Sequence, residues 1–259
     1  MPPSRYELSE AQWERIRDFL PGRKEHVGRT AADNRVFVNG VLWVLRSGAR
    51  WHDLPERYGK YKSVHKRFVR WAHSGVWDRI FAELVKDRKN QYLMIDSTIV
   101  RAHQQAATGR KKGATNKALG RSRGGLTTKI HLLANQDGEP IQFLITAGQV
   151  NDCTQAVELL GQRHADAVIA DKGYDSDTIL THVKAMKAEP VIPSRRCRKQ
   201  QRQHNEQLYK QRNRIERCFS RLKQFRRLAT RYEKSKTCFR AIVALACSWL
   251  LLQLYVDTA

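Results

Sequence analysis

The chain has 259 residues, of which 41% are hydrophobic, and its formal net charge is +23. This length and apolar content exclude a disordered chain and suffice for one large domain or two smaller ones. The charge is extreme for an enzyme that acts on small metabolites. It favours a polyanionic partner, above all nucleic acid, over the alternative of a generally basic, solvated surface.

The cysteines and the most apolar segment indicate the cellular compartment. The five cysteines form no Cys-x-x-Cys pair, which favours a reduced protein without disulfides or a zinc site. Residues 241–256 are strongly apolar but short for a membrane span, so we expect a buried core helix there. The N-terminus has no apolar signal region. We therefore expect a cytoplasmic protein without a membrane partner.

Residues 1–88 are predicted to form a helical domain. Ser9 and Gln12 make a capping box, and the predicted helices are 11–20, about 31–46, 61–73 and 77–85. Short helices with tight turns are typical of a helix-turn-helix module that binds DNA. The candidate recognition helix is 61–73, and its polar side includes Lys62, His65, Lys66, Arg67 and Arg70. The alternative is an ordinary solvated helix face.

Residues 89–259 are predicted to form a mixed α/β domain. Strands are predicted at 92–95, 126–134, 140–146, 167–170 and 190–193, and helices at 152–163, 176–187, 209–225 and 241–256. A turn sequence, Asn135-Gln-Asp-Gly138, joins two of the strands as a hairpin. The order of strands and helices resembles the ribonuclease H-like fold, an α/β architecture with helices flanking a mixed sheet.

A basic stretch without acidic residues covers residues 97–136. It is rich in glycine and includes Arg121 and Arg123. Such a loop has no counter-charge of its own and is suited to bind DNA phosphates. The alternative is a linker without a role.

The segment from 209 to 225 is predicted to be an active-site helix. At about 100° per residue, four functional side chains share an arc roughly 60° wide: Tyr209, Arg212, Glu216 and Lys223. The neighbouring arc is apolar and can pack on a sheet, with Ile215, Cys218, Phe219, Leu222 and Phe225. A carboxylate set between an arginine and a lysine, beside a packing face, is an unusual arrangement for stability alone.

Three carboxylates are predicted to converge. Asp96 and Asp171 each follow a short apolar strand, and Glu216 lies on the helix expected to pack on the same sheet. Three oxygen ligands of this kind suit two Mg²⁺ or Mn²⁺ ions. In two-metal phosphoryl transfer the ions lie roughly 3.5–4 Å apart and stabilise the attacking and leaving oxygens.

Each of these residues also has a structural interpretation. An aspartate at the end of a strand often caps a turn or a helix, and we assign Asp175 and Asp177 to the start of the next helix. His103 and His131 have no metal-ligand spacing, so we expect structural roles for both.

A complete motif spacing supports a family resemblance: Tyr209-x2-Arg212-x3-Glu216-x6-Lys223. It resembles the Tyr-Arg-Glu-Lys motif of the insertion-sequence-four and insertion-sequence-five superfamily of bacterial transposases. Asp96 in Met-Ile-Asp-Ser-Thr and Asp171 in Ala-Asp-Lys-Gly-Tyr are similar to the first two acidic positions of that family. Residues 51–77 and 124–131 are also similar to insertion-sequence-five members, so the resemblance covers nearly the whole chain.

The resemblance implies a DDE transposase in which Asp96, Asp171 and Glu216 are the catalytic residues and hold two Mg²⁺ or Mn²⁺ ions. It implies DNA contacts near the active site by Tyr209, Arg212 and Lys223. The partners would be double-stranded DNA, both the terminal inverted repeats and the target, and a homodimer or higher oligomer would join the two ends. Such a protein would act in the bacterial cytoplasm, associated with the nucleoid.

Three hypotheses follow for the function. The first is a transposase that binds the ends of its own element, cuts them and joins them to target DNA. The second is a host nuclease of the same fold, which cleaves without transposing. The third is a DNA-binding repressor with an inactive catalytic centre, against which the intact acidic triad argues.

Overall fold

A computed structural model describes residues 6–22, 33–108, 118–122 and 125–255. The helices are α1 (Glu10–Ile16), α2 (Asn34–Ser47), α3 (Tyr61–His73), α4 (Val76–Lys86), α5 (Gln104–Ala107), α6 (Ala156–Leu160), α7 (Asp177–Ala185), α8 (Glu206–Tyr209), α9 (Asn213–Lys223), α10 (Arg226–Ala229) and α11 (Lys236–Leu252). The strands are β1 (Tyr92–Ala102), β2 (Gly120–Ser122), β3 (Gly125–Ala134), β4 (Pro140–Ala147), β5 (Ala167–Ile169), β6 (Glu189–Val191) and β7 (Thr230–Arg231).

The chain divides into two compact units. The first comprises the described parts of residues 1–86, 103–114 and 222–259, and the second those of 87–102 and 115–221. Helix α11 thus belongs to the same unit as the N-terminal helices. The functional boundary that we place at residue 88 remains a prediction.

The N-terminal helices of the first unit begin and end at the signals present in the sequence. The capping box of Ser9 and Gln12 is formed at the start of α1. Asp33 caps α2 by accepting a hydrogen bond from the backbone N–H of Val36. Gly48 ends α2 with a φ of 71°, a left-handed conformation that favours glycine. These signals confirm the helical character of this region.

Aromatic side chains and α11 form the core of the first unit. Trp71 lies 4.8 Å from Phe37 and 5.4 Å from Trp77, measured between ring centroids. Helix α11 packs on α3 and α4 and is buried along nearly its whole length. The prediction of a buried core helix near residues 241–256 is therefore confirmed. Within the described ranges, no helix is both long and apolar enough to cross a membrane.

The second unit is built on a mixed sheet, as predicted. Its strand order is β2-β3-β1-β5-β6, and β4 pairs with β3. Strand β1 runs antiparallel to β3 and parallel to β5, and β5 runs parallel to β6. The prediction that the first strand ends at residue 95 is wrong, since β1 continues to Ala102. The reason is long-range pairing, because β3 matches β1 as far as Arg101.

The two histidines have structural roles, as predicted. His103 caps α5, its ring nitrogen accepting a hydrogen bond from the N–H of Gln105. His131 lies in β3 and is only 1% exposed, and its Nε2 is 2.8 Å from the hydroxyl of Thr146. Its Nδ1 is buried without a hydrogen-bond partner among the described residues.

The burial of His131 predicts a loss of stability in mild acid. Burial lowers the pKa of His131 to about 4, from an ordinary value of 6.5. The unfolded chain therefore binds this proton first, so the free energy of unfolding falls as the pH drops from about 6.5 to about 4. We expect His131→Gln to flatten this part of the curve in urea unfolding at pH 7, 5.5 and 4.5. Equal slopes in variant and wild type would contradict the prediction.

Candidate active site

The parallel pairing of β1 and β5 places Asp96 and Asp171 side by side. The last parallel pair is Met94 with Ile169, and each aspartate follows its member of that pair by two residues. The two aspartates therefore hold equivalent positions after the pair, and the charge of Asp171 acts on Asp96. Asp96 lies inside β1 and not at its end, which corrects the sequence prediction. The pairing of β1 with β5, however, ends at Met94, before Asp96.

Arg212 joins the carboxylate of the strand to that of the helix. Its Nη1 is 3.3 Å from Asp96 Oδ2, and its Nη2 is 2.7 Å from Glu216 Oε1. The second contact follows from the spacing of four residues, which brings side chains together on one helix face. The predicted neighbourhood of Asp96, Arg212 and Glu216 is thus formed.

The helix that carries Glu216 is shorter than the sequence predicts. Helix α8 ends at Tyr209, a 3₁₀ turn spans Lys210–Arg212, and α9 begins at Asn213. The packing face is nevertheless as predicted, with buried side chains at Ile215, Cys218, Phe219, Leu222 and Phe225. The interruption places Arg212 directly before α9. Its side chain bonds Glu216, which lies in the first turn of α9.

The hairpin turn between β3 and β4 fixes the start of α9. Buried Asn135 accepts hydrogen bonds from the backbone N–H groups of Asp137 and Glu139. Gly138 has a φ of 74°, and a Cβ there would lie 2.9 Å from the carbonyl oxygen of Arg214. The turn therefore approaches the helix backbone more closely than a side chain would allow. The turn was predictable from its residues, but this contact with α9 was not.

The three carboxylates influence one another electrostatically. Burial raises the pKa of Asp96 above its ordinary value, and the charges of Asp171 and Glu216 raise it further. The N–H of Ser97 and the charge of Arg212 act in the opposite direction. Since like charges resist being held together, this cluster favours a cationic partner.

The oxygen atoms of the cluster suit a hard divalent cation. Asp171 Oδ2 and Glu216 Oε2 make no hydrogen bond within the described residues, while Asp96 Oδ2 has only the 3.3 Å contact to Arg212. All-oxygen ligands are those that Mg²⁺ and Mn²⁺ prefer. As the side chains stand, no group of three metal-ligating residues in the described ranges is close enough to hold an ion. The donor chemistry fits a metal, and the guanidinium of Arg212 lies between the carboxylates of Asp96 and Glu216.

Asp171 is held by a tight turn that sequence analysis did not predict in detail. Its Oδ1 accepts a hydrogen bond of 2.7 Å from the N–H of Gly173. A Cβ at residue 173 would lie 2.8 Å from that oxygen, so glycine leaves room for the bond. The side chain of Arg195 in turn donates to the carbonyl oxygens of Lys172 and Gly173. Asp171 therefore caps a turn, as its structural interpretation predicts, and it also belongs to the carboxylate cluster.

Asp175 has a different role from the one predicted. Ser176 caps α7, and Asp177 is its first residue, as expected. Asp175 does not start the helix; its buried carboxylate pairs with Arg198 and Arg202. Local sequence could not reveal this, because both arginines lie more than twenty residues away.

The candidate DNA-binding side chains of α3 fall into two groups. Four are exposed: Lys62, His65, Lys66 and Arg70. Arg67 is half-buried, with its guanidinium 4.1 Å from the ring centroid of Phe37 and 4.7 Å from that of Trp71. Burial lowers the pKa of Arg67 to about 10. Its contacts within the unit indicate a structural contribution.

The other candidate DNA-binding residues lie on three elements. Tyr209 is half-buried at the end of α8, where its ring contacts that of His204, and Lys223 is exposed at the end of α9. Arg121 is exposed on β2. Arg123, like much of the basic stretch, lies outside the described residues.

Clustered carboxylates beside an arginine, on a mixed sheet of a strongly basic chain, are typical of enzymes of phosphoryl transfer on nucleic acid. Residues 87–251 match the model of the transposase DDE domain. Residues 8–81 match that of a putative transposase of the IS4/5 family. The chain belongs to the DDE transposases of the IS4/5 family, whose members generally use divalent metal.

Individual relatives agree with this family. A putative transposase for insertion sequence element IS6501 of Brucella ovis is 37% identical over 130 residues, which are 49% of this chain and 100% of that protein. An uncharacterized protein of Sinorhizobium fredii is 49% identical over 104 residues, 40% of this chain and 83% of that protein. The solved structure of the piggyBac transposase synaptic complex with hairpin DNA aligns with a TM-score of 0.54 and 12% identity, covering 97% of this chain and 74% of that chain. The likeness to that structure concerns the fold, which is ribonuclease H-like as predicted.

Proposed function

We propose that this transposase binds the terminal inverted repeats of its own insertion sequence, cleaves the DNA strands there and joins them to target DNA. The observation that carries the proposal is the contact of Arg212 with both Asp96 and Glu216, beside Asp171. It supports one reaction centre built from all three acidic motifs. Because its substrate is chromosomal DNA, we propose that the protein acts on the nucleoid of the bacterial cytoplasm.

We assign the carboxylates of Asp96, Asp171 and Glu216 to metal binding, with two Mg²⁺ or Mn²⁺ ions as the cofactor. The ions would activate the attacking oxygen and stabilise the leaving oxygen at the scissile phosphate. Water displaces the 3′-oxygen of the element end in the first reaction. The freed 3′-hydroxyl then displaces a 3′-oxygen of the target strand. The protein's part is to hold the carboxylates in place through the β1–β5 pairing and the turn ahead of α9.

Arg212 is suited to hold DNA once its carboxylate partners bind metal. A guanidinium matches the paired oxygens of a phosphate, and its charge would then be available to the scissile strand. Burial lowers the pKa of Arg212, but the charge of Asp96 and a hydrogen bond with Tyr209, three residues earlier, raise it above its ordinary value. We propose that Tyr209, Arg212 and Lys223 contact the phosphates that flank the cleavage site.

The experiment that tests this function begins with the DNA on both sides of the gene. Short inverted repeats there define the ends, which are then offered as labelled duplexes with a supercoiled target and Mg²⁺. Joined products support the transposase. Cleavage without joining would favour the nuclease hypothesis, and binding without cleavage the repressor.

Helix α3 is proposed to bind the ends through its exposed side chains. We expect Lys62→Ala with Lys66→Ala to lower the salt dependence of end binding by about one to two units of slope, since each phosphate contact contributes about 0.9. Lys86→Ala with Lys234→Ala removes the same charge from exposed positions outside α3 and should leave the slope unchanged. If the α3 double variant had the same salt slope as the wild type, α3 would be excluded from DNA binding. Binding isotherms at several salt concentrations measure it.

We also propose that a homodimer or higher oligomer brings the two element ends together. Joining both ends at one target requires two active sites close to each other. Light scattering with and without end duplex measures the assembly. A monomer in both conditions would contradict this part of the proposal.

A further inference from the structure

A basic segment precedes α8 and lies between Asp171 and the Tyr-Arg-Glu-Lys motif. Residues 194–202 have the sequence SRRCRKQQR and form neither helix nor strand. They contain no acidic residue and carry five cationic side chains: Arg195, Arg196, Arg198, Lys199 and Arg202. Three of these make defined contacts within the second unit, and two are exposed.

The segment is anchored on one buried carboxylate. Asp175 is 3% exposed, and its Oδ2 accepts hydrogen bonds from Arg198 Nε at 2.7 Å and from the N–H of Arg195 at 2.8 Å. Its Oδ1 accepts a bond from Arg202. Burial alone would raise the pKa of Asp175, but the bonds from Arg198 and its neighbours lower it to about 2. A charged carboxylate therefore fixes three points of a segment that has no regular structure.

The same segment is attached to the turn that bears Asp171. Arg195 donates from Nε to the carbonyl oxygen of Lys172 at 3.1 Å, and from Nη2 to that of Gly173. These two residues directly follow Asp171, whose own carboxylate bonds the N–H of Gly173. Any ligand held by the segment is thereby held at a fixed place relative to Asp171.

The exposed cations of the segment are Arg196 and Lys199. Arg198 also pairs with Asp177 at 2.7 Å, so Arg198 and Arg202 are balanced by two carboxylates. The excess positive charge of the segment therefore comes from Arg195, Arg196 and Lys199. We propose that residues 194–202 are a preorganised surface for the DNA backbone, in which Arg196 and Lys199 bind phosphates next to the catalytic turn. This inference rests on the proposed function, because it takes DNA as the substrate. Anchoring lowers the ordering cost of such contacts, since the backbone is already fixed before DNA binds.

The binding test uses a random-sequence DNA duplex in EDTA, so that neither cleavage nor end recognition enters the result. Arg196→Ala with Lys199→Ala should lower the salt slope of binding by about one to two units. Lys89→Ala with Lys184→Ala is the matched control, since it removes two exposed positive charges of the same unit outside the segment. The control should leave the slope unchanged. Equal slopes for the two double variants would overturn the proposal.

The anchor is tested separately with Asp175→Asn, which keeps the shape of the side chain but removes its charge. Trypsin should cut within residues 195–202 at least several-fold faster in this variant, while circular dichroism stays that of the wild type. Unchanged cutting would overturn the anchoring. Neither the salt slope nor the trypsin cutting depends on catalysis. If the wild-type protein neither cuts nor joins DNA, the proposed function is refuted. The salt slopes would still decide whether residues 194–202 bind DNA.

Discussion

Asp96→Asn, Asp171→Asn and Glu216→Gln are each expected to lower metal-dependent strand transfer by roughly 10³-fold or more. An amide keeps the shape of the side chain but loses the charge that holds a divalent cation. Metal ions contribute several kcal/mol of transition-state stabilisation, and each 1.4 kcal/mol corresponds to about tenfold in rate. Single-turnover transfer of a labelled element end, at saturating protein, measures the loss.

Binding of the element end should persist in the same three variants, because α3 and the segment 194–202 are untouched. Asp166→Asn is the matched control, since this exposed aspartate precedes β5 at the end of the strand opposite to Asp171. It should transfer strands at the rate of the wild type. Transfer by any of the three variants at the rate of the control would remove that residue from the catalytic centre.

The parts of the site that sequence predicted depend on short spacings. Arg212 and Glu216 are four residues apart, so helical geometry alone brings them together. Asp171 directly follows Ala170, a buried residue that comes immediately after β5. In both cases the residues nearby in the sequence are enough to predict where the side chain lies. The order of strands and helices was predictable for the same reason.

The parts that sequence did not predict depend on distant pairing. Strand β1 extends past Asp96 because β3, about thirty residues later, supplies its hydrogen bonds. Asp175 looked like a helix start because its partners, Arg198 and Arg202, lie in a segment without periodicity. Arg67 has a polar position in the pattern of α3, yet it packs on the rings of Phe37 and Trp71. Such contacts are set by the tertiary fold and not by local sequence.

The contact of Arg212 with two of the three carboxylates implies that the arginine and the metal ions compete for the same negative charge. We expect Arg212→Met to lower the stability of the protein in EDTA by on the order of 1–3 kcal/mol, because Asp96 and Glu216 lose their cationic partner. The same loss should strengthen Mg²⁺ binding, since a positive charge leaves the site. Mg²⁺ should therefore raise the unfolding temperature more in the variant than in the wild type.

The control for this comparison is Arg217→Met, because Arg217 is an exposed arginine of α9, the helix that carries Glu216. It should respond to Mg²⁺ as the wild type does, since its side chain makes no contact with the carboxylates. Thermal unfolding across a Mg²⁺ titration separates the cases, with the midpoint of the titration at lower concentration in Arg212→Met alone. If Mg²⁺ stabilised that variant no more than the wild type, Arg212 would not be competing with metal. Arg212 would then contact the DNA phosphates whether or not metal is bound, and its side chain would keep its position when the ions bind.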